Sequence, residues 1–343
     1  MLYCREKSVK ISKGMGFSNI YQQKRLFSME NKDNRKNYKG QKPNGYSKGG
    51  NGKNDRKSRF DGSDYSGRKN FTRKYDEHKP EFNDRNSGTG SADNEYGNGA
   101  VIGRNAVREL LRSERPIDKI LVRRGDREGS ITELVARAIE RGIPVIEVDK
   151  SKLDAISDFA PHQGIVAMAA EKEYSSVEDI LQIAADRGEK PLIVISDGIT
   201  DPYNLGSLIR CAEGVGAHGL IISKRRAVGL TPLVSKASAG AIEHLAIAKV
   251  ANISTTIDVL KKQGIWVFAA EAGGSAYYDT DFDCPCAIVF GSEGNGVSRI
   301  VKENSDFITS IPMYGHVNSF NVSTAASVIL SEAARQQKGQ KKQ

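Results

Sequence analysis

Asn204 and Arg210 stand where a strand pattern gives way to a helix pattern, in the segment DGITDPYNLGSLIRCAEG at 197–214. Because the strand ends in a loop of Gly, Asp and Pro, and Asn is a natural helix N-cap, we predict a helix that begins near Asn204. Arg210 follows almost two turns later and is predicted to project toward the carboxyl edge of the sheet, where open α/β sheets bind ligands. The alternative is that Asn204 serves only as a cap and Arg210 is a solvated surface charge.

A second segment, IVFGSEGNGVS at 288–298, places Gly291, Gly294 and Gly296 around one acid, Glu293. Glycines allow the backbone to approach a ligand closely and to take positive φ angles. The spacing does not fit the dinucleotide fingerprint, and the Lys of a phosphate-binding P-loop is absent. The loop therefore argues against a nucleotide phosphate site and leaves open an adenosine or amino-acid moiety held by backbone amides and carbonyls.

A third segment, SIPMYGHVNSFNVSTAASVILSEAARQ at 310–336, has a polar loop with Asn318 and Ser319, followed by Asn321 at the start of a helix of small residues. The small side chains leave room for tight packing. A helix start rich in Ser and Asn is typical of capping alone, and for this segment by itself capping is the preferred interpretation.

The elements that must position these residues alternate between strand and helix from Leu192 onward. The strand segments are rich in Ile, Val and Ala without polar alternation, which is typical of a parallel sheet covered by helices on both faces. The predicted strands are LIVISDG, GLIISKR, LAIAKV, IWVFAAEA, CAIVFG and FITSIPM. The predicted helices are NLGSLIRCAEGVGA, TPLVSKASAGAIEH, ISTTIDVLKKQG, a short helix around SRIVKENS and a helix over about 322–336.

A smaller α/β module precedes this region at 99–173, where Val107, Leu110 and Leu111 show helical spacing and IDKILV and HQGIVAMAA read as strands. Charged helix and turn signals at 174–190 predict a linker, and 191–338 forms the second domain.

The N-terminal 98 residues differ in composition from the rest of the chain. They carry a net charge of +10, against −1 for the remainder, and from Met29 to Asn98 there is no Leu, Ile or Val. Such a segment cannot bury enough apolar surface to offset the entropy of ordering, so we predict a disordered basic tail at 1–98. The basic composition of residues 1–28 is compatible with an organellar transit peptide. We prefer the interpretation that translation begins at Met29 and that the protein is cytoplasmic.

No apolar stretch reaches the roughly 18 residues of a membrane-spanning helix, which excludes an integral membrane protein. Cys284 and Cys286 form a lone C-P-C, and no second Cys or His pair lies at zinc-ligand spacing, so we predict no metal site. Unpaired cysteines suit a reducing compartment.

Taken together, the three segments resemble the three motifs of the SpoU, or TrmH, branch of the SPOUT RNA methyltransferases. They occur in the family's order, as NLGSLIR, FGSEGNGV and IPMYGHVNSFNVSTA. The module at 99–173, with VIGRNAV near its start and HQGIVA at its end, is similar to the L30e-like substrate-binding domain of many members. The resemblance is nearest to the RlmB type, which methylates a guanosine ribose of large-subunit (23S) ribosomal RNA, and it implies a homodimer and a C-terminal trefoil knot.

The resemblance also implies roles for individual residues. Arg210 matches the arginine of the first motif, which helps to activate the ribose 2′-hydroxyl. Asn204 matches the asparagine of that motif, which shapes the same corner of the site, and Glu293 matches the acid of the second motif. Ser319 and Asn321 match the polar pair of the third motif. Gly291, Ile311 and Phe320 fall where backbone and apolar contacts hold S-adenosylmethionine; Phe320 stands where Leu is usual.

The chemistry suits these residues. A ribose hydroxyl is a poor nucleophile at neutral pH, so its proton must be removed or shared as it attacks the methyl carbon. Because a guanidinium stays protonated, we expect Arg210 to stabilise developing oxyanion and nearby phosphate charge, or to be deprotonated only transiently. No metal is required, since the sulfonium is already an activated donor.

RNA binding has independent but weaker support from the tail, which interleaves Lys and Arg with Tyr and Phe, and from the run Lys224, Arg225 and Arg226. Both features are also consistent with solvated charge. Two alternatives stay open: transfer RNA as the substrate of the same chemistry, and a noncatalytic RNA-binding or ribosome-assembly protein with this fold.

Overall fold

A computed structural model of the protein describes residues 99–125 and 129–339. The predicted basic tail at 1–98, the start at Met29 and the targeting interpretations of residues 1–28 lie outside the described residues. None of the helices in the described ranges has the length and apolar composition that a membrane span needs.

The first described module is a four-stranded sheet with three helices. The strands are β1 (Ala100–Ile102), β2 (Ile117–Arg123), β3 (Val145–Val148) and β4 (Ile165–Ala169), and the helices are α1 (Arg104–Leu110), α2 (Ser130–Glu140) and α3 (Lys150–Ile156). The strand order is β1-β4-β2-β3, with β4 antiparallel to both of its neighbours. Helix α2 buries Ile131, Leu134 and Ala138, whose spacing puts them on one face. The sequence pattern did not predict β1, which is too short for periodicity to reveal.

The second module is built on six parallel strands. They are β5 (Leu192–Asp197), β6 (Gly219–Ser223), β7 (Ala246–Val250), β8 (Trp266–Ala276), β9 (Cys286–Gly291) and β10 (Phe307–Ser310). Their order is β10-β8-β9-β5-β6-β7, and every neighbouring pair is parallel. This confirms the predicted mostly parallel sheet.

Helices cover both faces of the second sheet, as its continuous apolar strands predict. They are α4 (Val177–Asp186), α5 (Pro202–Gly214), α6 (Pro232–Ala237), α7 (Ile253–Lys262), α8 (Arg299–Asn304) and α9 (Val322–Lys338). On β5, Val194 belongs to the core under α5, α6 and α9, whereas Ile195 belongs to the core under α4, α7 and α8. The knot and the homodimer implied by the resemblance stay predictions.

The predicted helix TPLVSKASAGAIEH is wrong as one continuous element. Helix α6 ends at Ala237, Ala239 and Gly240 take φ angles of 52° and 94°, and a 3₁₀ turn follows at Ala241–Glu243. A Cβ at Gly240 would lie 2.6 Å from the Glu109 side chain. The chain therefore breaks its helix where the first module packs closely against it.

The segment predicted as a linker, 174–190, contains helix α4. Its N-terminus has a capping box, in which Ser176 Oγ accepts from the Asp179 N–H (3.0 Å) and Asp179 Oδ2 accepts from the Ser176 N–H (2.8 Å). Ile180 is fully buried against Gly219 of β6, where a Cβ would clash with it. This segment thus forms part of the helical layer of the second module.

Polar contacts join the two modules. Arg115 Nη1 lies 2.7 Å from Glu243 Oε1, and the two side chains are only 10% and 1% exposed. A hydrogen bond of 3.0 Å connects His244 Nε2 and Glu109 Oε2. Burial lowers the pKa of Lys172, whose ammonium group donates to the Glu243 carbonyl (3.4 Å). The first module is therefore held on the second by buried charge as well as by packing.

Candidate active site

The site forms at the point where the strand order of the second sheet reverses. From β5 the chain proceeds outward to β6 and β7, while β9 lies on the other side of β5. Asp197, the last residue of β5, pairs in register with Gly291, the last residue of β9. Such a switch point opens a crevice at the carboxyl ends of the strands, and ligands bind there in open α/β sheets.

Helix α5 is capped by Asp201, so the prediction that Asn204 is the cap is wrong. Asp201 Oδ2 accepts from the Asn204 N–H (2.7 Å), and Pro202 follows at the first helical position. Pro favours that position because it has no N–H to satisfy and its φ angle is already helical. Asn204 lies inside the first turn, and its side chain is free for another role.

Asn204, Glu293 and Asn321 form a closed triangle of hydrogen bonds. Asn204 Nδ2 donates to Glu293 Oε2 (3.0 Å), and Asn321 Nδ2 donates both to Asn204 Oδ1 (2.9 Å) and to Glu293 Oε1 (3.0 Å). Asn204 is only 8% exposed, so these contacts satisfy a buried amide. One residue from each of the three segments thus meets at one point, and both oxygens of Glu293 are held.

Asn321 also caps helix α9. Its Oδ1 accepts from the Ser323 N–H (2.9 Å) and from Ser323 Oγ (2.6 Å), while its Nδ2 makes the contacts of the triangle. The capping interpretation of this segment is therefore confirmed, and the same side chain links the helix start to the other two segments.

The glycine-rich loop is a tight turn that only glycine allows at Gly291 and Gly296. Ser292 and Gly296 exchange two backbone hydrogen bonds (2.9 and 3.1 Å). A Cβ at Gly291 would overlap the Gly296 carbonyl group, and Gly296 takes a φ of 64°. The loop therefore brings the Glu293 backbone and side chain to the end of β9 with no bulky group in between.

Two carboxylates that the sequence analysis did not single out fix the end of this loop. Glu271 Oε2 on β8 accepts from the Val297 N–H (3.0 Å), and Asp197 Oδ2 on β5 accepts from the Ser298 N–H (2.8 Å). Their only signal in the sequence is an acid where an apolar strand ends, which could have suggested a role at the sheet edge.

A cleft of about 750 Å³ lies beside the triangle. Its wall is formed by the glycine-rich loop, the segment after β10, the loop at 315–320 and the start of α9. This volume lies in the range of about 300–1,000 Å³ that is typical of small-molecule sites. Five of the predicted residues line the cleft, namely Gly291, Glu293, Ile311, Ser319 and Phe320.

Ser319 and Phe320 are exposed at the mouth of the cleft. Phe320 is 47% exposed, and the Ser319 side chain has no hydrogen-bond partner among the described residues. An apolar ring and a free hydroxyl at the same mouth offer one stacking surface and one polar contact to a ligand.

The structure does not bring Arg210 to the triangle. Six residues separate it from Asn204, which is about 9 Å along the helix axis and about 240° around it. Arg210 is exposed, and within the described residues it makes no hydrogen bond or ion pair. The role that the resemblance gives Arg210 is at the ribose hydroxyl and needs no contact with Asn204, so it stays a prediction; within the described residues the charge of Arg210 has no partner.

The cysteines that the structure describes are Cys211, Cys284 and Cys286. Cys286 is buried, which raises the pKa of its thiol well above the usual range. No cluster of three or more His, Cys, Asp or Glu side chains that could hold a metal ion occurs in the described part of the chain.

Comparison with known proteins matches both modules separately. Residues 100–175 match the model of the substrate-binding domain of RNA 2′-O ribose methyltransferases, and residues 191–331 match that of the SpoU rRNA methylase family. A Staphylococcus haemolyticus protein assigned to the TrmH family of tRNA/rRNA methyltransferases is 46% identical over 236 residues, which is 68% of this chain and 94% of the relative. The chain belongs to the TrmH/SpoU family of RNA methyltransferases.

Other TrmH/SpoU proteins support the same assignment. A Bacillus subtilis member is 42% identical over 68% of this chain and 94% of its own length. The solved structure of the SpoU methyltransferase AviRb of Streptomyces viridochromogenes, in complex with S-adenosylmethionine, has a TM-score of 0.58 and 26% identity over 69% of this chain and 89% of AviRb. The structure of a Sinorhizobium meliloti rRNA methyltransferase, also bound to S-adenosylmethionine, has a TM-score of 0.55 and 25% identity, and the match covers 69% of this chain and 86% of that protein.

The cofactor of this TrmH/SpoU chain is S-adenosylmethionine, and the cleft suits it. Gly291, Gly294 and Gly296 line the cleft, and because they carry no side chain the backbone of the loop itself forms this part of the wall. Ile311 and Phe320 add apolar walls to the same cleft. The site thus combines backbone polarity with apolar surface, which suits the adenosine of this cofactor.

Proposed function

We propose that this chain methylates the 2′-hydroxyl of a ribose in RNA and that its target is a guanosine of large-subunit (23S) ribosomal RNA. The observation that carries the proposal is the triangle of Asn204, Glu293 and Asn321 beside the cleft. Two comparisons support the finer points: the domain matched at 100–175 is named for 2′-O ribose methyltransferases, and the Sinorhizobium meliloti relative is named as an rRNA methyltransferase.

In this proposal S-adenosylmethionine, when bound, supplies an electrophilic methyl group to the ribose oxygen. Gly291, Ile311 and Phe320 hold it in the cleft through backbone and apolar contacts. The loop that carries Gly291 is fixed at its far end by the carboxylates of Asp197 and Glu271. These two contacts hold the loop at the end of β9, and a fixed loop lowers the cost of orienting the reactants.

The polar residues act on the nucleotide. Asn204 and Asn321 hold the Glu293 carboxylate in one orientation at the cleft. Ser319 has a free hydroxyl at the mouth and can accept from or donate to the target ribose. Arg210 lies outside the triangle, and in this proposal the bound RNA brings its ribose and phosphate to this exposed guanidinium, which stabilises the developing oxyanion and nearby phosphate charge as the hydroxyl loses its proton.

The test is transfer of labelled methyl from S-adenosylmethionine to unmodified large-subunit ribosomal RNA and, in parallel, to bulk tRNA. Ribose methylation makes the adjoining linkage resistant to alkali, so alkaline hydrolysis maps the product. We expect label at one alkali-resistant guanosine of ribosomal RNA. Label only in tRNA would keep the chemistry and overturn the substrate, and label on a base would overturn the 2′-O assignment.

A further inference from the structure

Lys224, Arg225 and Arg226 form a cationic loop directly after β6, at the carboxyl edge of the second sheet. All three residues are exposed, and none of them has an ion-pair partner within the described residues. Three adjacent positive charges repel one another, so an arrangement without carboxylate partners leaves them available to an anion.

The backbone of the cationic loop is fixed at both ends. The Lys224 N–H donates to the Val250 carbonyl of β7 (2.8 Å), and the Val228 N–H donates to the Ile199 carbonyl (3.0 Å). Arg226 takes a left-handed φ of 55°, which a non-glycine residue adopts only when its surroundings impose it. The cations are thus held on one defined stretch of backbone.

The cationic loop borders the candidate active site. Ile199 belongs to the connection from β5 to the helix that carries Asn204. A Cβ at Gly198 would lie 3.9 Å from the Arg226 carbonyl oxygen and 3.9 Å from Ser292 Cβ. Gly198 is therefore flanked by the cationic loop on one side and by the glycine-rich loop on the other.

Leu230, four residues after the cationic loop, contacts the segment that leaves the substrate-binding module. The Leu230 N–H donates to the hydroxyl of Tyr174, five residues after the end of β4 (3.1 Å). Lys249 Nζ lies 4.9 Å from the centre of the Tyr174 ring. The stretch of chain that carries the cations is thus tied to Gly198 beside the candidate active site and, through Leu230, to the segment that leaves the first module.

We propose that the cationic loop binds phosphates of the RNA strand next to the target nucleotide. The inference rests on the proposed function only in that the ligand is RNA. Guanidinium groups bind phosphate through two parallel hydrogen bonds, and each phosphate neutralised releases counterions, so the contribution depends on salt. Such a site positions the strand on the catalytic domain itself, in addition to any contact made by the substrate-binding module.

The test compares two double variants that remove the same charges. Lys224→Gln with Arg225→Gln alters the loop and leaves the strained Arg226 in place. The matched control is Arg187→Gln with Lys262→Gln, which removes two exposed positive charges elsewhere. These residues lie at the C-terminal ends of helices α4 and α7. Because strands β5 and β8 follow those helices, both residues lie at the opposite edge of the sheet.

The readout is the Kd of the full-length protein for large-subunit ribosomal RNA and for bulk tRNA, measured as a function of salt. We expect the loop variant to bind about tenfold more weakly at low salt and to lose about 1 to 2 from the slope of log Kd against log salt. The control keeps the wild-type affinity and slope. In both variants the affinity for S-adenosylmethionine and the thermal midpoint stay at wild-type values.

Equal RNA affinity and salt dependence in the loop variant and the control would overturn the inference. A parallel loss of affinity for S-adenosylmethionine would also overturn it, since it would place the cations in the cofactor site. The proposed substrate fails in a different way, by transfer of methyl to tRNA alone or to no RNA. Because RNA affinity is measured on both ribosomal RNA and tRNA, the contribution of the cationic loop to binding is determined whichever of the two RNAs is methylated.

Discussion

The Asn204 amide donates a 3.0 Å hydrogen bond to the Glu293 carboxylate, although 89 residues separate the two in the sequence. The bond joins the first turn of α5 to the tip of the glycine-rich loop, and so connects the ends of the two neighbouring strands β5 and β9. Asn321 completes the contact from the start of α9. Because each of the three side chains is hydrogen-bonded to the other two, we expect a substitution at one of them to disturb the positions of all three.

Asn204→Asp should impair methyl transfer more than Asn204→Ala at neutral pH. The Asp variant puts a second carboxylate against Glu293 in place of a donor, and like charges at this distance repel. Protonation of one carboxyl restores a hydrogen bond, so the deficit of the Asp variant should shrink as the pH falls toward about 5. Single-turnover rates of both variants from pH 8 to 5 test this. Equal pH profiles would argue against direct contact between the two side chains.

Gly291→Ala and Gly294→Ala should differ sharply in their effect on cofactor binding. A Cβ at Gly291 would overlap the Gly296 carbonyl, so the loop must move, whereas a Cβ at Gly294 meets nothing within 4 Å. Gly294 has a φ of 88°, so its replacement still costs roughly 1 kcal/mol of backbone strain. We expect Gly291→Ala to weaken binding of S-adenosylmethionine at least tenfold and Gly294→Ala to change it little, by isothermal titration calorimetry. Similar losses in both would contradict the tight turn.

Arg115→Met should destabilise the protein by about 3–5 kcal/mol, because it leaves the Glu243 carboxylate buried without its partner. The matched control is Arg137→Met, whose pair with Glu133 is 39% and 52% exposed and is worth at most about 0.5 kcal/mol. Denaturant unfolding measures both. A loss for Arg115→Met as small as that of the control would mean that the charges at the module junction are hydrated.

His218 should make the protein less stable in mild acid. The Leu192 N–H donates to its Nδ1 (3.0 Å), and burial lowers its pKa below the ordinary 6.5, against the opposing charge of Glu189. The unfolded chain therefore binds a proton near pH 6.5 while the folded chain still does not, so the stabilising contribution is complete above pH 6.5 and is lost as the pH falls below it.

His218→Asn retains an acceptor for Leu192 and removes the titration. Its free energy of unfolding should fall less than that of the wild type between pH 7.5 and 5.5, as measured by urea titration at several pH values. Parallel curves for the two proteins would show that His218 titrates normally in the folded state.

The order of strands and helices could be predicted because it depends on local patterns. Apolar runs such as that of β5 report burial on both faces, and the N-terminal half of each predicted helix is recovered. The predictions of helix bounds differ from the structure where contacts with a distant part of the chain determine the local conformation. The helix predicted over TPLVSKASAGAIEH stops at Ala237, shortly before Gly240 packs against Glu109 of the first module, and the packing of α4 on the second module depends on Ile180 meeting Gly219.

The site shows the same division. The residue types at 204, 293 and 321 predicted functional positions only as a set of three motifs, because each one alone is typical of capping or of a turn. Their mutual hydrogen bonds could not be predicted, since they depend on how three strand ends come together. Asp201 as the cap of α5 was available from the sequence, because Asp followed by Pro is a common helix start.

The central claim is that the triangle of Asn204, Glu293 and Asn321 organises methyl transfer to an RNA ribose, and the most direct test is single-turnover transfer of labelled methyl by Glu293→Gln. Gln cannot accept from both amides through two oxygens, so one of the three contacts is lost. The control is Glu303→Gln, which removes an exposed carboxylate that pairs with Arg299 on α8. We predict that Glu293→Gln forms alkali-resistant product at least tenfold more slowly than the wild type with an unchanged fold, while Glu303→Gln matches the wild type. Wild-type turnover by Glu293→Gln would contradict the account.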